Sequence, residues 1–216
     1  MKKTILLILL GILLGIGGMF IMSRPEAPPP ASQVDFLEFT AELPGDALSM
    51  THGIEGMMIF PEGIADLKNT PISNMMGIST RIRGKDGEYV GLASELELFP
   101  NDKGLRPGMK WKTYWTFMTF DGALFVYEIE APPLAHLPML SSLAQGKDWT
   151  GSIPADTSVG PHPSGRGIIV GGTGAYAWAS GTFVERIDLR GFTVEGKITG
   201  TLYLQLYLDK KKSAEQ

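Results

Sequence analysis

Four charged residues bracket one short turn, and they are the first place to look for chemistry. Arg81 and Arg83 precede Asp86-Gly87, and Glu95 and Glu97 follow it. Each pair is spaced by two, so on extended strands both arginines share one face and both glutamates share one face. Which faces coincide depends on the turn. A two-residue loop sends arginines and glutamates to opposite sides. A three-residue loop over Lys85 to Gly87 brings Arg81 and Glu95 together, where they would pair or hold a polar ligand group. Both registers are open. Beyond the turn, Tyr114 and Tyr127 share a face of a second hairpin and offer aromatic surface with sparse donors, which is what the wall of a ligand cavity needs. Arg81, Glu95 and Tyr127 are therefore the candidate catalytic groups. Tyr114 and Trp178 are the candidate ligand contacts, with Trp178 beside a glycine bend as a lid.

Other chemistries find little support. The chain has no cysteine, which excludes disulfides, thiolate metal sites and cysteine nucleophiles. His52, His136 and His162 lie far apart without a partner at ligand spacing, so no metal is expected. No GxSxG nucleophile elbow occurs, and no S-x-x-K with its supporting motifs. A net charge of −4 with pI near 5.4 and no basic stripe argue against nucleic acid.

The elements that must position these residues are strands. Apolar residues recur with period two in short segments punctuated by Gly, Pro and Asp-Gly, the pattern of antiparallel sheet. Eight strands are expected near Asp35–Leu43, Ile72–Arg83, Glu88–Phe99, Trp111–Phe120, Ala123–Glu130, Gly167–Val170, Gly181–Leu189 and Lys197–Leu208. A two-residue turn at Asp121-Gly122 pairs Phe120 with Ala123, Met118 with Phe125, Thr116 with Tyr127 and Tyr114 with Ile129. The opposite face carries Trp111, Trp115, Phe117, Leu124 and Val126. A sheet with one side in water does not show two apolar faces. A closed eight-stranded antiparallel barrel does, with its outside covered by long loops or by further copies in a homo-oligomer.

The run Gly167–Gly181, GIIVGGTGAYAWASG, lacks the GxGxxG spacing and the following helix of a dinucleotide site. Its glycines fit a sharp bend and a close backbone approach at a barrel edge. The stretch IIVGGTGAYAWASGTF, followed by a hairpin ending in TLYLQLYL, resembles the closing half of the allene oxide cyclase-like barrels, the superfamily that includes plant dirigent proteins and some bacterial cyclases. Ala179-Ser180-Gly181 stands where an arginine-containing form is usual. The motif covers about forty residues. The resemblance implies an eight-stranded barrel, often oligomeric, that holds an apolar small molecule and steers a cyclisation, isomerisation or coupling with no metal or organic cofactor.

The chain ends frame this domain. Lys2 and Lys3 precede Thr4–Met22, nineteen residues without a charge; as a helix this spans about 28 Å, close to the bilayer core. Residues 1–24 thus read as a signal anchor, with a cleaved signal peptide as the alternative. Residues 25–33 form a proline-rich linker, 34–209 the barrel domain, and 210–216 a basic polar tail. The transmembrane helix precedes the all-β domain and leaves it on the extracytoplasmic side. Pro44–Pro71 and Ala131–Arg166 are long insertions. Leu134, Leu137, Met139 and Leu140 in one, with Met57, Met58 and Phe60 in the other, would cap the barrel mouth, rest on the bilayer or pack over the core. The function expected is a membrane-tethered barrel that binds an apolar ligand, running a cofactor-free isomerisation or cyclisation. The alternative is a non-catalytic ligand-binding or structural envelope protein.

Overall fold

A computed structural model describes residues 34–53, 58–100 and 108–209. The expected anchor Thr4–Met22, the linker, the tail and Met57 lie outside the described residues. Among the described residues no helix is long and apolar enough to cross a membrane.

In chain order the strands are β1 (Val34–Leu43), β2 (Ala47–His52), β3 (Met75–Arg83), β4 (Tyr89–Leu98), β5 (Trp111–Thr119) and β6 (Gly122–Glu130). A 3-10 turn (Leu134–His136) and helix α1 (Leu137–Ala144) follow. Then come β7 (Trp149–Asp156), β8 (Ser158–Gly160), β9 (Gly167–Gly172), a 3-10 turn (Gly174–Tyr176), β10 (Gly181–Phe192) and β11 (Ile198–Asp209). Neighbours run β1-β11-β10-β9-β6-β5-β4-β3, and β3 returns to β1 at Thr40–Arg83. That circuit is an eight-stranded antiparallel barrel built from the eight strands read in the sequence. β2, β7 and β8 are additions drawn from the two long insertions. β2 occupies the edge of β3 where β1 splays away. β7 pairs with β10 and β8 with β6.

Period two decides what faces inward. On β5, Trp111, Thr113, Trp115 and Phe117 are buried; on β6, Leu124, Val126, Glu128 and Glu130. One end of the interior is filled. Phe39, Phe117, Trp115 and Phe183 stack in succession with centroids 5.6 to 6.5 Å apart, and Ile82, Leu124, Leu202, Leu204 and Leu206 close around them. Burying these side chains from water is the main stabilisation of the barrel. The other end is lined by Met50, Met76, Phe99, Met109 and Trp111, with Met58 and Ile78 against them. Met58 packs against this end, and Phe60 bridges to Met50 beside it. In the second insertion Met139 is buried and Leu134 and Leu137 are exposed.

One turn differs from its expected register, and the other follows one of the two left open: away from its bulge, β3–β4 keeps the pairing of a two-residue Asp86-Gly87 loop. The β5–β6 loop is Phe120-Asp121, with Thr119 opposite Gly122 and Tyr114 opposite Tyr127. The reason is Gly122: its φ of 145° and its approach to the Thr173 carbonyl, 2.1 Å from where a Cβ would stand, leave room for glycine alone. The glycine was needed for docking the bend after β9, not for the turn itself. That bend binds through Ala175 N–H to the Asp121 carbonyl at 2.8 Å and Thr173 N–H to the Ala123 carbonyl at 2.8 Å. The β3–β4 turn spans residues 84–88 with a bulge before β4 pairs fully, so Ile78 faces Glu95 and Arg81 faces Leu92. Arginines and glutamates lie on opposite sides of the wall.

Candidate functional site

Glu95 and Glu97 continue the inward row of β4 beyond Ala93; Glu128 and Glu130 continue that of β6 beyond Val126; Glu185 follows Phe183 on β10. Five glutamates are thus buried inside the barrel, each no more than 6% exposed. They lie between the aromatic end and the methionine end, since Trp115 and Trp111 flank Thr113 on β5. Among the described residues no lysine or arginine is buried to balance them.

Tryptophans organise the cluster. Trp111 Nε1 donates to Glu97 Oε1 at 2.8 Å. Trp115 Nε1 donates to both Glu128 Oε1 at 3.0 Å and Glu185 Oε2 at 3.1 Å. Ser158, on β8, donates its hydroxyl proton to Glu128 Oε2 and accepts the Glu185 backbone N–H at 2.8 Å. Glu97 Oε2 and Glu130 Oε1 are buried without a hydrogen-bond partner.

Electrostatics follow from the burial. Loss of solvent, then repulsion by neighbouring carboxylates, pushes Glu95, Glu97, Glu128 and Glu185 well above the ordinary carboxylate range. Burial also raises Glu130, while the nearby polar groups of Thr113, then Thr157 and Trp111, hold it back. It settles at about 7. The cluster therefore keeps protons near neutral pH, and its acids share them as a unit. Oxygens of Glu95, Glu97 and Glu130, and of Glu128, Glu130 and Glu185, lie within 4.8 Å of one another. Those triplets have the spacing for a hard divalent cation. Filling them requires ionising several groups at once, which burial opposes, so protons are the better-fitting counter-charge.

Of the residues singled out in the sequence, Glu95 belongs to this cluster. Arg81, Tyr114 and Tyr127 face outward, a correction to the expected cavity wall. The β3–β4 register turns Arg81 away from Glu95, and Tyr114 and Tyr127 meet on the outer face with ring centroids 5.2 Å apart. Trp178 is half-exposed past the glycine bend. Arg81 serves a different cluster: its Nη2 donates to the Gly45 carbonyl at 2.8 Å and lies 3.3 Å from Asp46 Oδ1. Glu97 stands beside Glu95 on the same face of the hairpin, whereas the sequence reading does not single out Glu128, Glu130 or Glu185. Their signal was present, because each continues by period two a face that also carries Val126 or Phe183.

No family model matches the chain, and no curated protein matches it. Among solved structures it is similar to a pyocyanin demethylase, at 16% identity and TM-score 0.38, over 80% of this chain and 98% of that one. It is also similar to a pterocarpan synthase dirigent protein, at 13% identity and TM-score 0.41, over 83% and 96%. An exo-specific intermolecular Diels-Alderase matches at 7% identity and TM-score 0.35, over 80% and 94%. The barrel itself rests on its own hydrogen-bonded ladder, which closes through β1 and β3.

Proposed function

We propose that the barrel receives an apolar small molecule at its methionine-lined end and acts on it by proton transfer from the interior glutamates, in a cofactor-free isomerisation or cyclisation. The observation that carries this is the set of five buried glutamates with, among the described residues, no buried lysine or arginine, abutting a pliable apolar surface. Methionine side chains are unbranched and adaptable, so Met50, Met58, Met76 and Met109 can shift to admit a ligand. A neutral carboxylic acid in a water-poor site is a strong donor toward a developing oxyanion or a carbon–carbon double bond, and its conjugate base can recover the proton afterwards. Glu97 and Glu130 are the favoured donors, since each presents an oxygen without another partner. Glu95 remains in the proposal as their neighbour; Arg81, Tyr114, Tyr127 and Trp178 have no part in it. The tether and the extracytoplasmic location belong to the same proposal on sequence grounds, as does a second copy over the exposed outer row of Leu92, Leu96, Tyr114 and Met118.

The test has two arms. N-phenyl-1-naphthylamine, excited through the tryptophans, should bind saturably, and Met76→Lys should abolish that binding by placing a charge in the apolar end. Incubation in deuterated water with a panel of apolar epoxides and polyenes should give a product carrying solvent deuterium, with Glu97→Gln and Glu130→Gln losing it. Probe binding indifferent to Met76→Lys would place the ligand elsewhere. Saturable binding with no deuterated product across the panel would favour the non-catalytic binding module.

A further inference from the structure

The barrel wall is weakest beside the acids. Between β6 and β10 the sheet is completed by β9 only as far as Gly167, which lies opposite Phe183. Glu128 and Glu185 come just beyond that point. There the gap is filled by residues 156–158, where β7 passes into β8. Thr157 N–H donates to the Glu185 carbonyl at 3.0 Å, and Ala131 N–H donates to the Thr157 carbonyl at 3.1 Å. Ser158 stands in the gap with its hydroxyl on Glu128. The same residue lines an outer cavity of about 380 Å³, together with Asp156, Ser164, Arg166, Gln205 and Tyr207. One side chain thus touches the solvent side and the interior cluster.

We infer that Ser158 is a proton relay between this outer cavity and the interior glutamates, reaching them through Glu128. The inference rests on the acid reading given above. Its step is balanced. A hydronium ion in the cavity gives a proton to Ser158 Oγ as Ser158 passes its own proton to the Glu128 carboxylate, and the hydroxyl is restored with one proton moved inward. A serine oxygen has two lone pairs. The Glu185 N–H occupies one at 2.8 Å and fixes the hydroxyl's direction, leaving the other to accept. Inside, Glu128 faces Glu130 and Glu185 and shares the Trp115 indole with Glu185. Outside, the charged groups lining the cavity are Asp156 and Arg166, and Arg166 is held over the Tyr207 ring, 4.3 Å from its centroid. Ser158 is a positioning residue: it serves the acids and touches no substrate.

The relay predicts how fast the buried acids exchange with solvent. Infrared spectroscopy of the full chain at neutral pH should show the carbonyl stretch of protonated carboxylic acids, and transfer into deuterated water should shift it. Ser158→Ala should slow that shift by roughly a hundredfold, and Ser158→Thr, which keeps a hydroxyl, should restore it. Val159→Trp, which crowds the cavity and leaves Ser158 in place, should slow it too and covers the case in which the alanine variant fails to fold. A protonated-carboxyl band that exchanges at the wild-type rate in Ser158→Ala, or in a folded Val159→Trp, would overturn the relay while leaving the acid reading intact. A wild-type spectrum without such a band would overturn the acid reading and the relay with it.

Discussion

Glu130 is the residue whose titration lies nearest neutrality, and its sign is informative. Its folded pKa of about 7 lies above the ordinary 4.5, so between those values the folded chain holds a proton that the unfolded chain has released. Stability then falls as pH rises through that window. Thermal unfolding followed by circular dichroism from pH 4.5 to 8 should show the midpoint dropping. Glu130→Gln, which keeps the shape and removes the charge, should flatten the decline and raise the midpoint at pH 8. A wild-type midpoint that rises across this range would contradict the assignment. Glu95 and Glu97 stood out in the sequence because they flank an Asp-Gly turn. Glu128, Glu130 and Glu185 did not, since a charged residue on a strand ordinarily belongs in solvent. Alternation fixed their face, and only the closed barrel shows that this face is the interior.

At the level of elements, the seam between β1 and β3 is held by a polar clamp. Asp46, in the turn between β1 and β2, accepts from Arg83 Nε at 2.9 Å, Arg83 Nη2 at 3.0 Å, Tyr89 OH at 2.7 Å and Glu42 N–H at 3.0 Å. Burial pushes its carboxyl up, but these donors outweigh it and hold the pKa at about 2. Both guanidinium groups also lie over the Tyr89 ring, 4.5 and 4.1 Å from its centroid. The β1–β3 pairing is a single residue pair, so the clamp supplies closure that the ladder lacks. Asp46→Asn should cost about 2 kcal/mol at neutral pH, measured by urea unfolding. The sign with pH is opposite to that of Glu130. Asp46's contribution is present above pH 3.8 and is lost as pH falls through about 2, so the variant should lose less stability in acid than the wild type. An unchanged midpoint in urea would show that the strands close the barrel unaided. The eight barrel strands were legible because their period is two and glycine or proline ends them. The clamp was not, because it joins a turn residue to a hairpin 37 positions away, and no local pattern encodes that distance. At Asp86-Gly87 local spacing offered two registers, and the structure takes the one with arginines and glutamates on opposite faces; the bulge beside the turn is what the spacing did not show.

For the whole molecule, the two halves of the barrel have different work. The aromatic half is packed solid and supports the fold, while the half with glutamates and methionines combines charge, softness and concealment. A tether would keep the whole barrel beside a bilayer, a source of apolar ligand. The expected outcome is that a C-terminally tagged full chain stays with the membrane fraction after a high-salt wash. Recovery as a soluble species beginning near residue 33 would instead establish a cleaved signal. The uncharged N-terminal run gives the tether only as an expectation, whereas two apolar faces on one hairpin made closure legible. Which face would carry the chemistry was not, since Tyr114 and Tyr127 look as suited to a cavity as Trp111 and Trp115 until the ladder closes around the tryptophans.

The central claim is that carboxylic acids persist inside this barrel in neutral water. Carbon-13 magnetic resonance of the full chain, labelled at the glutamate side-chain carboxyl carbons and assigned by single Glu→Gln variants, reads each titration directly. The account predicts that Glu130 titrates at about 7 and that Glu95, Glu97, Glu128 and Glu185 remain protonated well above the ordinary carboxylate range. Five resonances titrating together near 4.5, the ordinary value for glutamate, would contradict it.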